Sequence, residues 1–268
     1  MRPKYAKLVE HVEIPRMALA RQVFEAVDVH DPAHAVHEAL AASPHLSGLK
    51  KGMRVALTVG SRGIASLPQL VRAIVDELRE RGAEPFIVPA MGSHGGATAE
   101  GQIAVLRHLG VTEETAGCPI CSSMETVEVG VLENGMSVRI DKLAYEADGI
   151  VLFNRIKPHS AFRAPNESGL VKMLAIGLGK QSGADNCHAW GFCYMGRFIV
   201  EMARVKLATC KVLFGIGVLE NAYDRLSKVV VLPSEGMVEQ EREYLAEAMR
   251  NMPRLPLGPQ DAPLAAGP

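Results

Sequence analysis

The chain has 268 residues, of which 48% are hydrophobic and 22% are charged, and its formal net charge is −1 at pH 7. This composition is typical of a globular protein with one large or two small domains. The near-zero net charge argues against a surface for nucleic acid or for an anionic membrane. The sequence has no uninterrupted apolar stretch of transmembrane length, and its start lacks the apolar core of a signal peptide. We therefore expect a cytoplasmic protein.

Strands and helices alternate in the first part of the chain. Short apolar runs over residues 53–60 and 85–92 predict two buried strands. Residues 66–82 have apolar side chains at helical spacing, begin at Ser66 as a candidate N-cap and end at a glycine. Residues 98–110 predict a second helix on the same grounds. This order predicts a parallel sheet with helices on both faces.

A β-hairpin interrupts this alternation, because residues 125–141 place an Asn-Gly turn between two alternating runs. The remaining predicted elements are strands over 149–154, 211–220 and 228–233 and helices over 168–179, 196–207 and 234–250. We expect an α/β fold: a Rossmann-like, doubly wound, mainly parallel sheet with an inserted β-hairpin. It is predicted to occupy residues 1–250. Residues 251–268, rich in Pro, Ala and Gly, are predicted to form a linker or a disordered tail.

The five cysteines are an odd number, which fits reduced thiols in a chain of this size. Cys118 and Cys121 form a CPIC motif, which could be a redox pair or half of a zinc site. No second CxxC and no Cys/His pair at zinc-finger spacing accompanies it. The motif also precedes a polar SSMET stretch rather than a helix. We interpret the two residues as ordinary reduced cysteines in a turn.

Polar residues stand where the chain leaves several predicted apolar segments. Arg62 lies in GSRG, His94 in GSHGGAT and His159 in KPHSAF, each after a predicted strand. Open α/β proteins place their sites beyond the carboxyl ends of strands. An arginine there can hold a carboxylate, and histidine suits proton transfer near neutral pH. Any one of these residues could be merely solvated, but two histidines after two strands of one sheet favour a shared crevice.

Lys172 lies inside the apolar run SGLVKMLAIGLGK, and His188 follows it by sixteen residues. A buried ammonium is costly unless it is paired or chemically modified. The lysine could instead extend to the surface, and the histidine could be a buried, hydrogen-bonded residue or a metal ligand. Three further histidines in a polar, Ala-rich stretch are interpreted as surface residues: His30, His34 and His37.

Taken together, these segments resemble the N-terminal, catalytic domain of the nickel-dependent lactate racemase family. The resemblance runs from about residue 50 to residue 220. It rests on the order of SRG (61–63), GSHGGAT (92–98), NRIKPH (154–159), SGLVK (168–172) and the histidine sixteen residues later. Each piece is a weak signal, whereas the ordered set is specific.

The resemblance implies a cofactor, the nickel-pincer nucleotide (pyridinium-3-thioamide-5-thiocarboxylic acid mononucleotide). By this resemblance Lys172 would bind it covalently as a thioamide, which removes the charge that would otherwise be buried. Ser168 and Gly169 would be further cofactor contacts. Nickel would be held by two sulfurs, a ring carbon and His188.

The resemblance also implies an isomerase that racemises or epimerises a small 2-hydroxy acid. His94 and His159 would be the acid/base pair, one for each enantiomer, and Arg62 would bind the substrate carboxylate. The C2 hydrogen would move as a hydride. Expected partners are cofactor-biosynthesis proteins and a possible second copy of the chain in a homo-oligomer, with no nucleic acid and no membrane.

The chain departs from the best-known family members in two respects. Those members have Gly-Tyr-Ser-Gly-Gly before the lysine, whereas this chain has APNESGLVK and a few extra residues after His159. We therefore expect a different cofactor-phosphate and substrate pocket. Full members also have a second α/β domain that closes the cleft. A Pro/Ala/Gly-rich tail stands where it would begin, so we expect that domain to be absent.

Two alternative functions remain open. The chain could be a non-catalytic or partner-dependent binding domain of the same fold, which another protein would complete. It could also be a nicotinamide-dependent oxidoreductase, although the first predicted strand is followed by GSRG and not by GxGxxG.

Overall fold

The structure, a computed structural model, describes residue 11 and residues 21–254. Its strands are β1 (Arg54–Val59), β2 (Glu84–Pro89), β3 (Thr126–Val131), β4 (Ser137–Asp141), β5 (Gly149–Arg155), β6 (Val212–Glu220) and β7 (Leu226–Pro233). Its α-helices are α1 (Pro32–Ala41), α2 (Leu67–Glu80), α3 (Ala99–His108), α4 (Glu113–Ala116), α5 (Lys142–Glu146), α6 (Leu170–Lys172), α7 (Lys180–His188), α8 (Phe192–Thr209) and α9 (Met237–Asn251). A π-helix, Met173–Gly177, continues α6.

The central sheet has five strands in the order β2-β1-β5-β6-β7. The first four are parallel to one another, and β7 pairs antiparallel with β6 at the edge. The predicted α/β fold with a mainly parallel, doubly wound sheet is therefore confirmed. Strand addition reverses direction between β1 and β5, and ligands of open α/β sheets bind at the carboxyl ends beside such a switch point.

Alternating side chains of the central strands face two separate hydrophobic layers. In β1, Val55 and Leu57 face the layer that contains α1 and α2, whereas Ala56 faces the layer that contains α6, α8 and α9. β5 alternates in the same way, because successive side chains of a strand point to opposite faces. Helices thus cover both faces of the sheet. None of the described helices combines the length and the apolar character needed to cross a membrane.

The predicted hairpin is present as the antiparallel pair β3–β4. Its turn contains Gly135 at φ +82°, a left-handed backbone conformation that favours glycine. The hairpin packs against α7 and α8 rather than extending the central sheet. Its last residue, Asp141, is fully buried.

Several local predictions need correction. Ser66 precedes α2 in the left-handed region, at φ 59°, and its side chain makes no capping hydrogen bond. The helix predicted over 168–179 begins at Leu170 and becomes a π-helix after three residues. Helix α9 runs to Asn251, so the predicted tail begins inside a helix. The rest of that tail, from residue 255, lies outside the described residues.

Helix α1 lies in the stretch that contains the three histidines interpreted as surface residues. Asp31 caps it by accepting a hydrogen bond from the His34 N–H, and its apolar side chains pack on α2. The His34 side chain is exposed, as expected. The ring of His37 is also largely exposed, but its Nδ1 lies 2.6 Å from the carboxylate of Glu77.

Candidate active site

The loop after β1 carries the first predicted site residue. Arg62 is exposed at the carboxyl end of this strand, beside the switch point of the sheet. Its neighbour Ser61 is half-buried, and the Ser61 hydroxyl is hydrogen-bonded to Nδ1 of His94. The loops after β1 and β2 therefore meet through a direct side-chain contact. Sequence reasoning missed Ser61, although it stands next to the arginine.

The loop after β2 is built by close backbone contact with α3. Gly95 has φ +67°, and a Cβ added to it would lie 2.6 Å from the carbonyl carbon of Gly101. A methyl group on Gly101 would in turn collide with the carbonyl oxygen of Gly95. The two glycines therefore let the loop fold onto the first turn of α3, with Thr98 as its N-cap. This packing holds His94 at the end of the sheet.

His94 lies close to three of the other predicted site residues. Partial burial lowers the pKa of its ring, and the nearby side chains of Arg62, Lys172 and His188 lower this pKa further. The imidazole is therefore mainly neutral at pH 7, which is the form that accepts a proton. If Nδ1 donates to Ser61, Nε2 is left free as a base.

His159 follows β5 and is positioned through its backbone and its ring. Its N–H donates to the buried carboxylate of Glu167 at 2.5 Å, and its ring stacks on Phe162 with centroids 4.4 Å apart. Nδ1 accepts a hydrogen bond from the Ala161 N–H at 3.1 Å. Burial, followed by the charge of Lys172, lowers the pKa of His159 to about 4. This ring is also neutral at pH 7.

Lys172 is half-buried at the end of α6 and forms no ion pair with any residue from 21 to 254. Its Nζ lies 5.9 Å from the ring centre of Phe162, the ring that also contacts His159. Burial, followed by the charge of Arg62, lowers the pKa of Lys172 to about 8. About a tenth of this amine is therefore uncharged at pH 7, in the nucleophilic form, which is far more than for an ordinary lysine.

Ser168 and Gly169 lie directly before the helix that carries Lys172. The backbone of Ser168 pairs with that of Lys157, and its N–H and C=O both take part in this bridge. Gly169 is buried, and its carbonyl accepts a hydrogen bond from Nδ2 of Asn154 at 2.9 Å. A Cβ on Gly169 would collide with the carboxylate of Glu241. These contacts fix where α6 begins.

Two buried charged residues support the helical segment of Lys172 from opposite ends. Glu241 accepts a hydrogen bond from the Val171 N–H at 3.0 Å, near the start of α6. Lys206 donates from Nζ to the carbonyls of Leu174 and Ala175, both at 2.8 Å, in the π-helix. Carboxylates are favoured at helix starts, and carbonyls left over by a π-helix need a donor. Sequence patterns did not single out either residue, because both lie on amphipathic helices among exposed charged side chains.

The burial of Glu241 predicts a pH dependence of folding stability. Burial raises the pKa of Glu241 from 4.5 to about 7, so between these pH values the folded chain binds more protons than the unfolded chain. The free energy of unfolding should therefore fall as the pH rises from 4.5 to 7, by at most about 3 kcal/mol from this group. Glu241→Gln should remove this fall. Urea denaturation at pH 5 and pH 7.5 measures it.

Glu239→Gln is the matched control for Glu241→Gln. Glu239 lies on the same helix but is exposed and pairs with Arg204, which lowers its pKa. We expect this variant to keep the pH dependence of the wild type. An unchanged slope in Glu241→Gln would show that the buried carboxyl does not titrate in this range.

His188 ends α7 and is exposed. It is near enough to His94 to lower the pKa of that ring, as are Arg62 and Lys172, and Lys172 also lowers the pKa of His159. Each of the five predicted side chains therefore interacts electrostatically with at least one of the others. Within the described part of the chain, the His188 ring forms no hydrogen bond, ion pair or ring contact with the other four residues.

Lys157 is a functional candidate that sequence reasoning missed. It is half-buried in the NRIKPH segment and forms no ion pair with the residues that the structure describes. Burial lowers its pKa, and so do the charges of Arg155 and Arg62. Arg155 is itself paired with Glu220. Lys157 and Arg62 therefore remain as cations available to an anionic ligand.

The CPIC motif lies away from this group. Ile120 bridges Ile87 in the edge strand β2, so the motif extends that edge of the sheet. Burial raises the pKa of the Cys118 thiol to about 11. A redox-active cysteine needs the opposite shift, because the thiolate is the reactive form.

Comparison with known proteins places the chain in a family. Residues 5–192 match the model of the lactate racemase N-terminal domain. None of the curated proteins matches the chain. The lactate racemase apoprotein from Thermoanaerobacterium thermosaccharolyticum has a similar structure, with a TM-score of 0.61 at 15% sequence identity. The similarity covers 84% of this chain and 59% of that racemase, so the chain spans about three fifths of its length. The family match covers more than half of the sequence, and the chain belongs to the family of lactate racemase N-terminal domains.

Proposed function

We propose that the protein racemises or epimerises a small 2-hydroxy acid by means of a nickel-pincer nucleotide attached to Lys172. The observation that carries this proposal is a half-buried lysine that forms no ion pair with residues 21–254 and lies near two neutral histidines. The family match and the similar fold of a lactate racemase support an activity of this class. The substrate and the hydride mechanism are part of the proposal.

The residues present fit this cofactor. The amine of Lys172, with its lowered pKa, is suited to form the thioamide, which would leave no charge beside Phe162. Residues 21–254 contain no group of three His, Cys, Asp or Glu side chains that could hold a metal. The proposed cofactor supplies sulfur and carbon ligands of its own, so His188 would be the one ligand required from the chain. When bound, the cofactor would supply the site that takes up and returns the hydride.

The side chains of the chain would then bind and orient the substrate and move its protons. Arg62 and Lys157 would hold the substrate carboxylate while the reacting carbon changes face. One neutral histidine, His94 or His159, would take the hydroxyl proton of one enantiomer. The opposite histidine would return a proton to the oxygen as the other enantiomer forms. Phe162 would shield Lys172 and His159 from water.

We also propose partners and a location that follow from this function. The cofactor has to be made and loaded by biosynthetic proteins, which would act in the cytoplasm. The chain could work as a homo-oligomer or with a further protein module that covers the exposed side of the site.

The proposed function is tested by incubating single enantiomers of short 2-hydroxy acids in D₂O with protein co-produced with the cofactor-making proteins. We expect the opposite enantiomer to appear without deuterium at C2, because a stored hydride does not exchange with solvent. Deuterium at C2 would instead show direct proton abstraction by a histidine. Loaded protein that interconverts no 2-hydroxy acid would contradict the proposed activity.

A further inference from the structure

A fully buried lysine outside the catalytic group connects several parts of the site. Lys180 has no exposed surface and adopts φ +53°, a left-handed conformation that is rare for a residue with a side chain. Burial of a charged amine and an unfavourable backbone conformation are both costly. They persist together only where surrounding contacts compensate for them. The contacts of the Lys180 ammonium therefore show which elements of the fold this residue connects.

The Lys180 ammonium contacts three separate elements. Its Nζ donates to the carbonyl of Pro89, the last residue of β2, at 2.6 Å and to Oε1 of Gln102 at 2.9 Å. It also lies 3.2 Å from the buried carboxylate of Asp141, at the end of the hairpin. Lys180 itself begins α7, the helix that ends at His188.

Gln102 carries this network to the loop of His94. Its side chain is fully buried on α3, and its Nε2 donates to the carbonyl of Gly92 at 2.9 Å and to that of His94 at 3.3 Å. One amide thus accepts from the lysine with its oxygen and donates to the catalytic loop with its nitrogen. Because amide oxygen and nitrogen have fixed roles, this chain of contacts has a single orientation.

We propose that Gln102 and Lys180 are positioning residues that hold His94 at the reacting group and fix the His94 loop relative to the helix of His188. The inference rests on the proposed function, because it takes His94 as a proton-transfer residue. Neither side chain has exposed surface with which to contact a substrate. Both act through the backbone of the loop that carries the imidazole.

The physical basis is the cost of breaking buried polar contacts. If the His94 loop moved, Nε2 of Gln102 would lose both carbonyl partners, and water does not reach this amide. The close packing of Gly95 on Gly101 resists the same movement. The loop therefore has one position of low energy.

The proposal is tested with Gln102→Met, which fills a similar volume but neither accepts nor donates these hydrogen bonds. The pKa of each histidine ring is measured by NMR titration in the protein without cofactor. We expect the pKa of His94 to rise toward its ordinary value, because a displaced ring would lose its partial burial and would lie farther from the charges of Arg62 and Lys172. The pKa of His159 should stay unchanged. In loaded protein kcat should fall by about 10²-fold with little change in KM.

Leu106→Ala is the matched control, since Leu106 is fully buried on the same helix one turn after Gln102. It should weaken folding without moving the pKa of His94. The proposal is overturned if the pKa of His94 is unchanged in folded Gln102→Met, or if Leu106→Ala moves it equally.

Gln102→Glu is the second variant, which tests the same proposal if Gln102→Met does not fold. Its carboxylate can still accept from Lys180 but cannot donate to Gly92 and His94. We expect faster amide hydrogen exchange at His94, whose N–H is bonded to the Met91 carbonyl in the wild type. Wild-type protection in this variant would overturn the proposal. Neither NMR readout needs cofactor or turnover, so an inactive wild type would contradict the proposed function alone.

Discussion

Replacing either His94 or His159 with alanine is expected to lower racemisation of the 2-hydroxy acid by about 10²–10⁴-fold, the usual contribution of a general acid or base. In the proposed function both rings are needed, because each turnover would remove a proton on one side and return it on the other. The rings are neutral at pH 7, since burial and neighbouring positive charges lower the pKa of each. The rate is measured from each enantiomer separately with cofactor-loaded protein.

Two further variants show whether this loss is specific. Arg62→Ala should mainly raise KM, because the role proposed for the arginine is to bind the carboxylate and not to move a proton. His34→Ala removes an exposed histidine on α1 and should leave the rate unchanged. Racemisation that survives in both histidine variants would show that proton transfer does not pass through these rings.

The fold and the core of the candidate site were predictable from the sequence for identifiable reasons. The apolar runs that became β1, β2 and β5 are short and bounded by glycine or polar residues, so their ends are visible. Parallel strands bring their carboxyl ends to one edge of a sheet. Residues after these strands, such as Arg62, His94 and His159, therefore lie near one another although they are far apart in sequence.

The supporting residues were not predictable in the same way. Lys180 and Gln102 are 78 positions apart in the sequence. The sequence around each of them is typical of an ordinary polar residue on a surface helix. Lys206 and Glu241 are likewise buried by partners distant in sequence. A hydrophobic pattern predicts which face of a helix is buried, but it does not reveal a polar residue whose partners arrive from other elements.

The segment of Lys172 shows a second limit. Its residues are apolar over more than two turns, so the pattern predicts a helix but defines no exposed face. The sequence therefore could not reveal the change to a π-helix at Met173, which is a feature frequently found at functional sites. The amphipathic spacing of α2 predicted that helix correctly, and only the predicted capping hydrogen bond of Ser66 was wrong.

Lys172 is expected to be the attachment point of the cofactor because its environment differs from that of the other buried lysines. Lys180 and Lys206 are fully buried and hydrogen-bonded to carbonyl oxygens, so their amines are engaged. Lys172 has neither an ion pair nor a carbonyl partner in the described part of the chain, and its pKa is lowered to about 8. It is therefore better placed to react than Lys180 or Lys206.

The central claim is tested most directly by peptide mass mapping and nickel analysis of protein co-produced with the cofactor-making proteins. We predict an adduct on Lys172 that is absent from Lys172→Arg and present in the control Lys157→Arg. His188→Ala should keep the adduct and lose the nickel. An adduct on another lysine, or nickel retained in His188→Ala, would contradict the assignment of these two residues.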